Sequence, residues 1–595
     1  VIGRGQCVNP REPFGRGIDS LARFSSRLGN AMQRWIRKGF VNLGDRQVHY
    51  RAAGGGPPVI LLHDSPRSSV LHLPQLAFLS EKLTVIALDT PGYGLSTPLA
   101  ENRPLTIDDF GASLGETIAA LGLASCPVYS FHTSSKILLS LAAQQPERVR
   151  LAIMDGLSIP DGPPDEGFIA AYMKPFVIDD AGAYLAEKWT KVLDIHRFFP
   201  WFLKKAAARM PSEMPDAEHL HRYMLDFFMA GPHFSDAYAA AMRYEPLQAV
   251  AKLRSPALFM CRQDDVLYAH LDKLPTPLPP GAAIERLPPG RPYWRERLQQ
   301  LLMESADRAA ADFAPPDPLQ APAPGVIRCG YVAVGDRQTL VRRIAGRGGV
   351  PVVLLHNVPG GSAVLEDYLH ALGESRDVFA IELPGCGESD PLVGERPTAD
   401  EYARHLSRVT SALGLERFDL IAFGFSTVFA RRWLRVAPEQ IRRLVLDTPM
   451  FTTLEQRTEM ALHIAPPIHP SLFGAHLHKA WHMVRNAELM FPWYSHSAAS
   501  IRRREPNLSG EKLHRQLLAV LKQPSRYGDA VLAAVNASGE NGFADLAQPL
   551  LVLFDANDPS SAGAQAVRWP ASAKIGAPER LPAAFAAQVT AFLDG

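Results

Sequence analysis

The side chain best placed to do chemistry in this chain is His132. It ends the apolar run Pro127–His132, which reads as a buried strand, and the segment after it reads as a helix that Pro146 terminates. A histidine at such a turn faces the first N–H groups and the positive dipole end of the helix, which disfavour a nearby cation. The expectation is a neutral imidazole near pH 7, fit to act as general base on water or on an acidic substrate proton, or as a covalent nucleophile. The same N–H groups, with the backbone after His63, form a candidate oxyanion hole. His63, Asp64 and Thr133 are the candidates for lining it, although His63 at a strand end fits a structural role and Asp64 reads equally as a solvated loop aspartate.

Other chemistries find little support. There is no Gly-rich phosphate loop, no HExxH and no convincing metal cluster, so no cofactor and no metal are expected. The five cysteines form no CxxC pair, which points to free thiols in a reducing compartment. The 62 basic and 61 acidic side chains leave a net charge of +1, no electrostatic reason for a nucleic-acid or acidic-membrane partner. No apolar run approaches the roughly 18 residues of a membrane span, and Arg4, Arg11 and Arg16 interrupt any signal-peptide core. A soluble cytoplasmic protein acting on or binding a small molecule is the expectation.

The elements that must position His132 occur twice. Gly44-Asp45-Arg46-Gln47 returns as Gly335-Asp336-Arg337-Gln338, Leu61-Leu62-His63 as Leu354-Leu355-His356, and Phe199-Pro200-Trp201 as Phe491-Pro492-Trp493, always 291 to 293 residues later. So long a period means duplicated domains, assigned to 41–306 and 325–595, with intramolecular packing of the two expected and room left for an oligomer. A Pro/Ala-rich linker covers 307–324. Residues 1–40 have no counterpart; Leu21, Phe24, Leu28, Met32 and Trp35 give them helical spacing. Each copy alternates short apolar runs with helical stretches: Pro57–His63, Leu83–Asp89, Pro127–His132, Arg150–Asp155 and Pro256–Cys261, then Pro351–His356, Asp377–Glu382, Phe418–Gly424, Arg443–Asp447 and Pro549–Asp555. That alternation predicts an α/β fold, a mostly parallel sheet flanked by helices. Between the fourth and fifth runs lie aromatic-rich helical insertions, about 157–246 and 450–543, placed to cap the strand ends.

With Leu-Leu-His-Asp-Ser-Pro (61–66), Ala-Leu-Asp-Thr-Pro-Gly-Tyr-Gly (87–94) and their partners at 354–359 and 381–387, the layout resembles the capped α/β-hydrolase superfamily over nearly all of both copies. The resemblance implies two tandem α/β-hydrolase-fold domains. Its nucleophile sits on a strand-to-helix elbow with a G-x-S-x-G pattern; counting back from Pro146 and Pro438 places His132 and Gly424 there, so neither copy keeps the serine. The acid of the family maps to Asp264 and Asp558. The slot for its histidine holds Arg291 in the first copy, a pairing partner for Asp264, and no histidine follows His514. In the caps, Trp189 of the first copy and His476 of the second are candidate pocket residues, against a plain cap-core role. Two readings stay open: a hydrolase or lyase with His132 as base or nucleophile and a degenerate second copy, or a non-catalytic pseudohydrolase that binds a ligand or protein partner.

Overall fold

Strands that bury both faces need an unbroken apolar run, and five such runs in each copy form the centre of an eight-stranded sheet. The computed structural model describes residues 36–595 except 45, 212, 308–312, 321–322, 540–542 and 544–545. The helix expected around Leu21–Trp35 lies outside the described residues.

The first sheet comprises β1 (Arg37–Leu43), β2 (Arg46–Ala53), β3 (Pro58–Leu62), β4 (Thr84–Leu88), β5 (Cys126–Phe131), β6 (Val149–Asp155), β7 (Ala257–Arg262) and β8 (Ala282–Leu287), in the order β1-β2-β4-β3-β5-β6-β7-β8. The second comprises β9 (Ile327–Val334), β10 (Arg337–Ile344), β11 (Val352–Leu355), β12 (Val378–Ile381), β13 (Phe418–Phe423), β14 (Ile441–Asp447), β15 (Leu550–Leu553) and β16 (Lys574–Gly576), in the same order read from β9. Only the strands of the opening hairpin, β1-β2 and β9-β10, pair antiparallel with their neighbours. β1 begins at Arg37, inside the segment assigned from the sequence to the N-terminal extension. No helix among the described residues is long and apolar enough to cross a membrane.

The caps do more than cover their own sheets. Helices Ala183–Ile195 and Ala217–Ala230 of the first cap pack on Ala475–Leu489 and Gly510–Leu521 of the second, and their apolar faces merge into one core. The contact is reciprocal, as in a twofold dimer. A Cβ on Gly182 would stand 2.5 Å from Trp481, and one on its counterpart Gly474 would stand 2.8 Å from Trp189, so each glycine is the seat for the other copy's indole. Likewise Tyr184 Oη bonds His514 Nδ1 at 2.7 Å, while at the equivalent positions His476 Nε2 bonds His221 Nδ1 at 3.1 Å.

The repeated Gly-Asp-Arg-Gln motif serves the same junction. Gln47 takes the Cys329 N–H at 2.7 Å and gives its amide to the Cys329 carbonyl at 2.9 Å. Gln338 takes the Lys38 N–H at 2.9 Å and gives its amide to the Ile36 carbonyl at 3.0 Å. Each glutamine thereby satisfies backbone groups on the edge strand of the other copy.

Candidate active site

β5 ends at Phe131 and the helix Thr133–Gln144 starts two residues later, so His132 alone makes the turn, at φ +52° and ψ −110°. Such a conformation costs a non-glycine residue about 1–3 kcal/mol and persists only where the surroundings impose it. Here the His132 N–H donates to the Asp155 carbonyl at 2.9 Å and its own carbonyl accepts from Ser135 at 2.9 Å. The neighbouring serine hydroxyls are committed elsewhere. Ser130 Oγ is fully buried and donates to the Ile153 carbonyl at 3.0 Å, and Ser134 Oγ accepts from the Phe131 N–H at 2.9 Å. The group presented at the elbow is the imidazole, stacked on Phe131 with centroids 3.9 Å apart and with 26% of its side chain accessible.

Its partner is Asp265, whose two carboxylate oxygens lie 3.0 and 3.1 Å from His132 Nε2. Asp265 is oriented in turn by the Leu267 N–H, 2.9 Å from Oδ1. Asp264, the residue expected from the sequence, points out to solvent and pairs with Arg262 at 3.4 Å; Arg291, expected beside it, is exposed at the start of the helix Arg291–Ser305. Asp558 of the second copy lies 293 residues after Asp265, the offset shared by the His63 and His221 repeats. That constant offset was the signal that selects Asp265 over its neighbour.

Two further carboxyls face the ring electrostatically. Asp155, at the end of β6, accepts from Tyr129 Oη at 2.9 Å and Trp294 Nε1 at 2.8 Å, and burial pushes it up to about 6. Asp64 is raised as well, chiefly by burial against the opposing charges of Arg67 and His132, and its Oδ1 is buried without a hydrogen-bond partner. The expected neutral imidazole needs correction. Burial alone lowers the His132 pKa, but the hydrogen bond to Asp265 and the charges of Asp265, Asp64 and Asp155 outweigh it and hold the pKa above the ordinary value. A carboxylate in direct contact dominates the partial charge of a helix end.

The remaining candidates divide. Thr133 is buried as the first residue of the helix, and Asp64 lies at the mouth of the turn. His63 is structural: Nδ1 bonds the Asp64 carbonyl at 2.7 Å and Nε2 accepts from the Thr90 N–H at 2.9 Å. Trp189 and His476 meet each other rather than either elbow. Trp189 Nε1 donates to the Leu472 carbonyl at 3.1 Å and its ring packs edge-on against His476, within the interface between the caps.

In the second copy Gly424 takes the elbow position at φ +55°, its N–H donating to the Asp447 carbonyl at 2.9 Å. The following N–H, that of Phe425, donates to Asn357 Oδ1 at 2.9 Å, so a side-chain amide fills the place of an oxyanion. Asp558 is likewise engaged, with Arg502 Nε at 3.0 Å and the Ser560 N–H at 2.9 Å. A Cβ on Gly424 would stand 2.3 Å from Asn357 Oδ1. Gly424→Ser is therefore expected to cost about 2–4 kcal/mol, from the left-handed backbone and the clash together. Asn357→Gly in the same chain should recover the clash share, as read by urea unfolding.

Comparison with known proteins matches residues 350–473 to the family model described as alpha/beta hydrolase fold. Proline iminopeptidase of Heyndrickxia coagulans is 27% identical over 122 residues, 20% of this chain and 42% of that protein. The (E)-2-((N-methylformamido)methylene)succinate hydrolase of Acinetobacter baylyi is 32% identical over 114 residues, 19% of this chain and 43% of that protein. The chain thus spans less than half the length of these curated relatives. Among solved structures, an epoxide hydrolase from an endophytic Streptomyces has a TM-score of 0.36 at 17% identity, covering 45% of this chain and 94% of that one. Two sheets of one strand order, the second matching the family model over β11–β14, make this chain a tandem pair of α/β-hydrolase-fold domains.

Proposed function

We propose that the first copy is a hydrolase or lyase for a small organic substrate, with the His132–Asp265 pair as its general base, and that the second copy is a non-catalytic support. The observation that carries this reading is the Asp265 carboxylate 3.0 Å from His132 Nε2. In the neutral dyad Asp265 accepts the Nε2 proton, which leaves the lone pair on Nδ1. Nδ1 takes a proton from water or substrate, and the imidazolium so formed is stabilised by Asp265. The Thr133 N–H at the helix start receives the negative charge that develops on the substrate. The hydrolases among the relatives support hydrolysis as the reaction class. In the second copy the filled Phe425 donor and the bare Gly424 favour a support role.

Diethyl pyrocarbonate acylates the unprotonated imidazole nitrogen and tests the assignment directly. Carbethoxylation of His132, mapped by mass spectrometry, is expected to run parallel with loss of turnover across a panel of small esters and amides. It should slow by more than about tenfold from pH 8 to pH 5.5, the factor for an ordinary imidazole, because the raised pKa leaves less unprotonated ring at pH 5.5. Full turnover by protein quantitatively modified at His132 would remove the dyad from the mechanism.

A further inference from the structure

Neither of two surface cavities near the first cap includes His132 or Asp265, and the smaller of the two adjoins the elements that carry them. It opens to solvent, has a volume of about 280 Å³ and is lined by Lys136, Ser158, Ile159, Phe168, Met242 and His270. Three elements that build the dyad also build this cavity. Lys136 lies one helical turn after His132, Ser158 follows Gly156, which touches the His132 ring, and His270 follows Asp265 and Leu267.

Lys136 is the unusual member. It is 3% exposed, and its ammonium has a single hydrogen-bond acceptor, the Ala241 carbonyl at 2.7 Å. An ammonium carries three donors, so two remain. No carboxylate among the described residues pairs with it; burial alone acts on it, and brings its pKa down to about 8. The acidic residues of the rim are committed elsewhere, Asp161 to Lys273 at 2.7 Å and Asp165 to the Phe168 N–H at 2.9 Å. A buried cation without a counter-charge is costly to the fold, and the cost falls when a ligand brings the anion.

We propose that this cavity binds a short-chain carboxylate, its head group ion-paired with Lys136 Nζ and its alkyl chain against Ile159, Phe168 and Met242. The volume lies just below the range usual for ligand cavities, about 300–1,000 Å³, and so selects a small acid. The ammonium supplies charge and donors, and the three apolar side chains supply the wall for a chain of a few carbons. The site stands apart from the dyad reading, because nothing in it requires His132 to be catalytic.

Butyrate is the probe, titrated against the full chain by ligand-observed NMR, with butyramide as its neutral isostere. Saturable butyrate binding is expected, at least tenfold weaker for butyramide and at least tenfold weaker in Lys136→Met. That variant replaces an unpaired buried cation with an apolar chain of similar length, so its unfolding temperature should equal or exceed the parent's. A second readout needs no variant. Trace acetylation of Lys136 by acetic anhydride, mapped by mass spectrometry, should slow at least fivefold under saturating butyrate. Equal binding of butyrate and butyramide, a titration unchanged in Lys136→Met, or acetylation indifferent to butyrate would each overturn the proposal.

Discussion

Exchanging His132 for alanine is expected to lower kcat/KM of the first copy by about 10²–10⁴-fold, the usual contribution of a positioned general base. The loss should fall on kcat, because a general base acts on the proton in flight rather than on ground-state binding. Asp265→Asn should cost a similar factor for a different reason: the ring remains, but its orientation and the counter-charge for the imidazolium are gone. The pH profile separates the two variants. Asp265, with Asp64 and Asp155, holds the His132 pKa above its ordinary 6.5. Activity that needs the unprotonated ring therefore rises with pH through that raised pKa. Removing the Asp265 charge should move this limb to lower pH, whereas His132→Ala should abolish it. A profile identical in Asp265→Asn and parent would show that the carboxylate does not govern the base. The linkage to stability runs the other way: the ion pair stabilises the fold fully below pH 6.5 and loses its contribution as pH rises through the raised pKa.

Acid should loosen the junction between the caps. His221 Nε2 donates to the Leu521 carbonyl at 2.9 Å, so its Nδ1 is the acceptor for His476 Nε2 at 3.1 Å. His476 Nδ1 accepts in turn from the Ser471 N–H at 3.2 Å. His514 Nε2 donates to the Phe228 carbonyl at 3.2 Å, and its Nδ1 accepts from Tyr184 Oη at 2.7 Å. Every ring nitrogen is thus used in a neutral tautomer, and a proton added to His221 would set donor against donor. Burial lowers His221 and His514 to about 4 and His476 to about 3. These folded values lie below the unfolded 6.5, so the stability is present above pH 6.5 and is lost as pH falls toward them. At 1.36 kcal/mol per pKa unit, the loss from pH 7.5 to pH 5 is about 2 kcal/mol for each histidine. Urea unfolding followed by tryptophan fluorescence measures it, since Trp189 and Trp481 lie in this interface. His514→Gln should reduce the pH slope by one histidine's share; an unchanged slope would show that the ring does not titrate with unfolding.

Much of the fold was legible because the central strands of a doubly covered parallel sheet must be apolar throughout. Val59–Leu62 and Val352–Leu355 announce themselves in this way, and both copies repeat the pattern. The hairpins β1-β2 and β9-β10 and the outer strands β8 and β16 were missed. β8 and β16 are largely exposed, and the hairpin strands carry arginine and glutamine among their apolar residues, so no apolar run marks them. The elbow register was legible for a local reason. A helix of fixed length ending at Pro146 or Pro438 locates its own start.

The sequence by itself determined the duplication, the two elbows and the loss of serine at both, since each follows from residues close together in the chain. Tertiary structure brought Asp265 rather than Asp264 onto His132, a choice that only the 293-residue offset to Asp558 signals in the sequence. After β7 the chain turns, the Asp265 N–H donating to the Arg262 carbonyl, so that Asp264 faces solvent and Asp265 faces inward. Tertiary structure also decided that Trp189 and His476 belong to a junction between copies. Helical spacing shows that a side chain is buried, but not what it is buried against, and here that partner lies about 290 residues away.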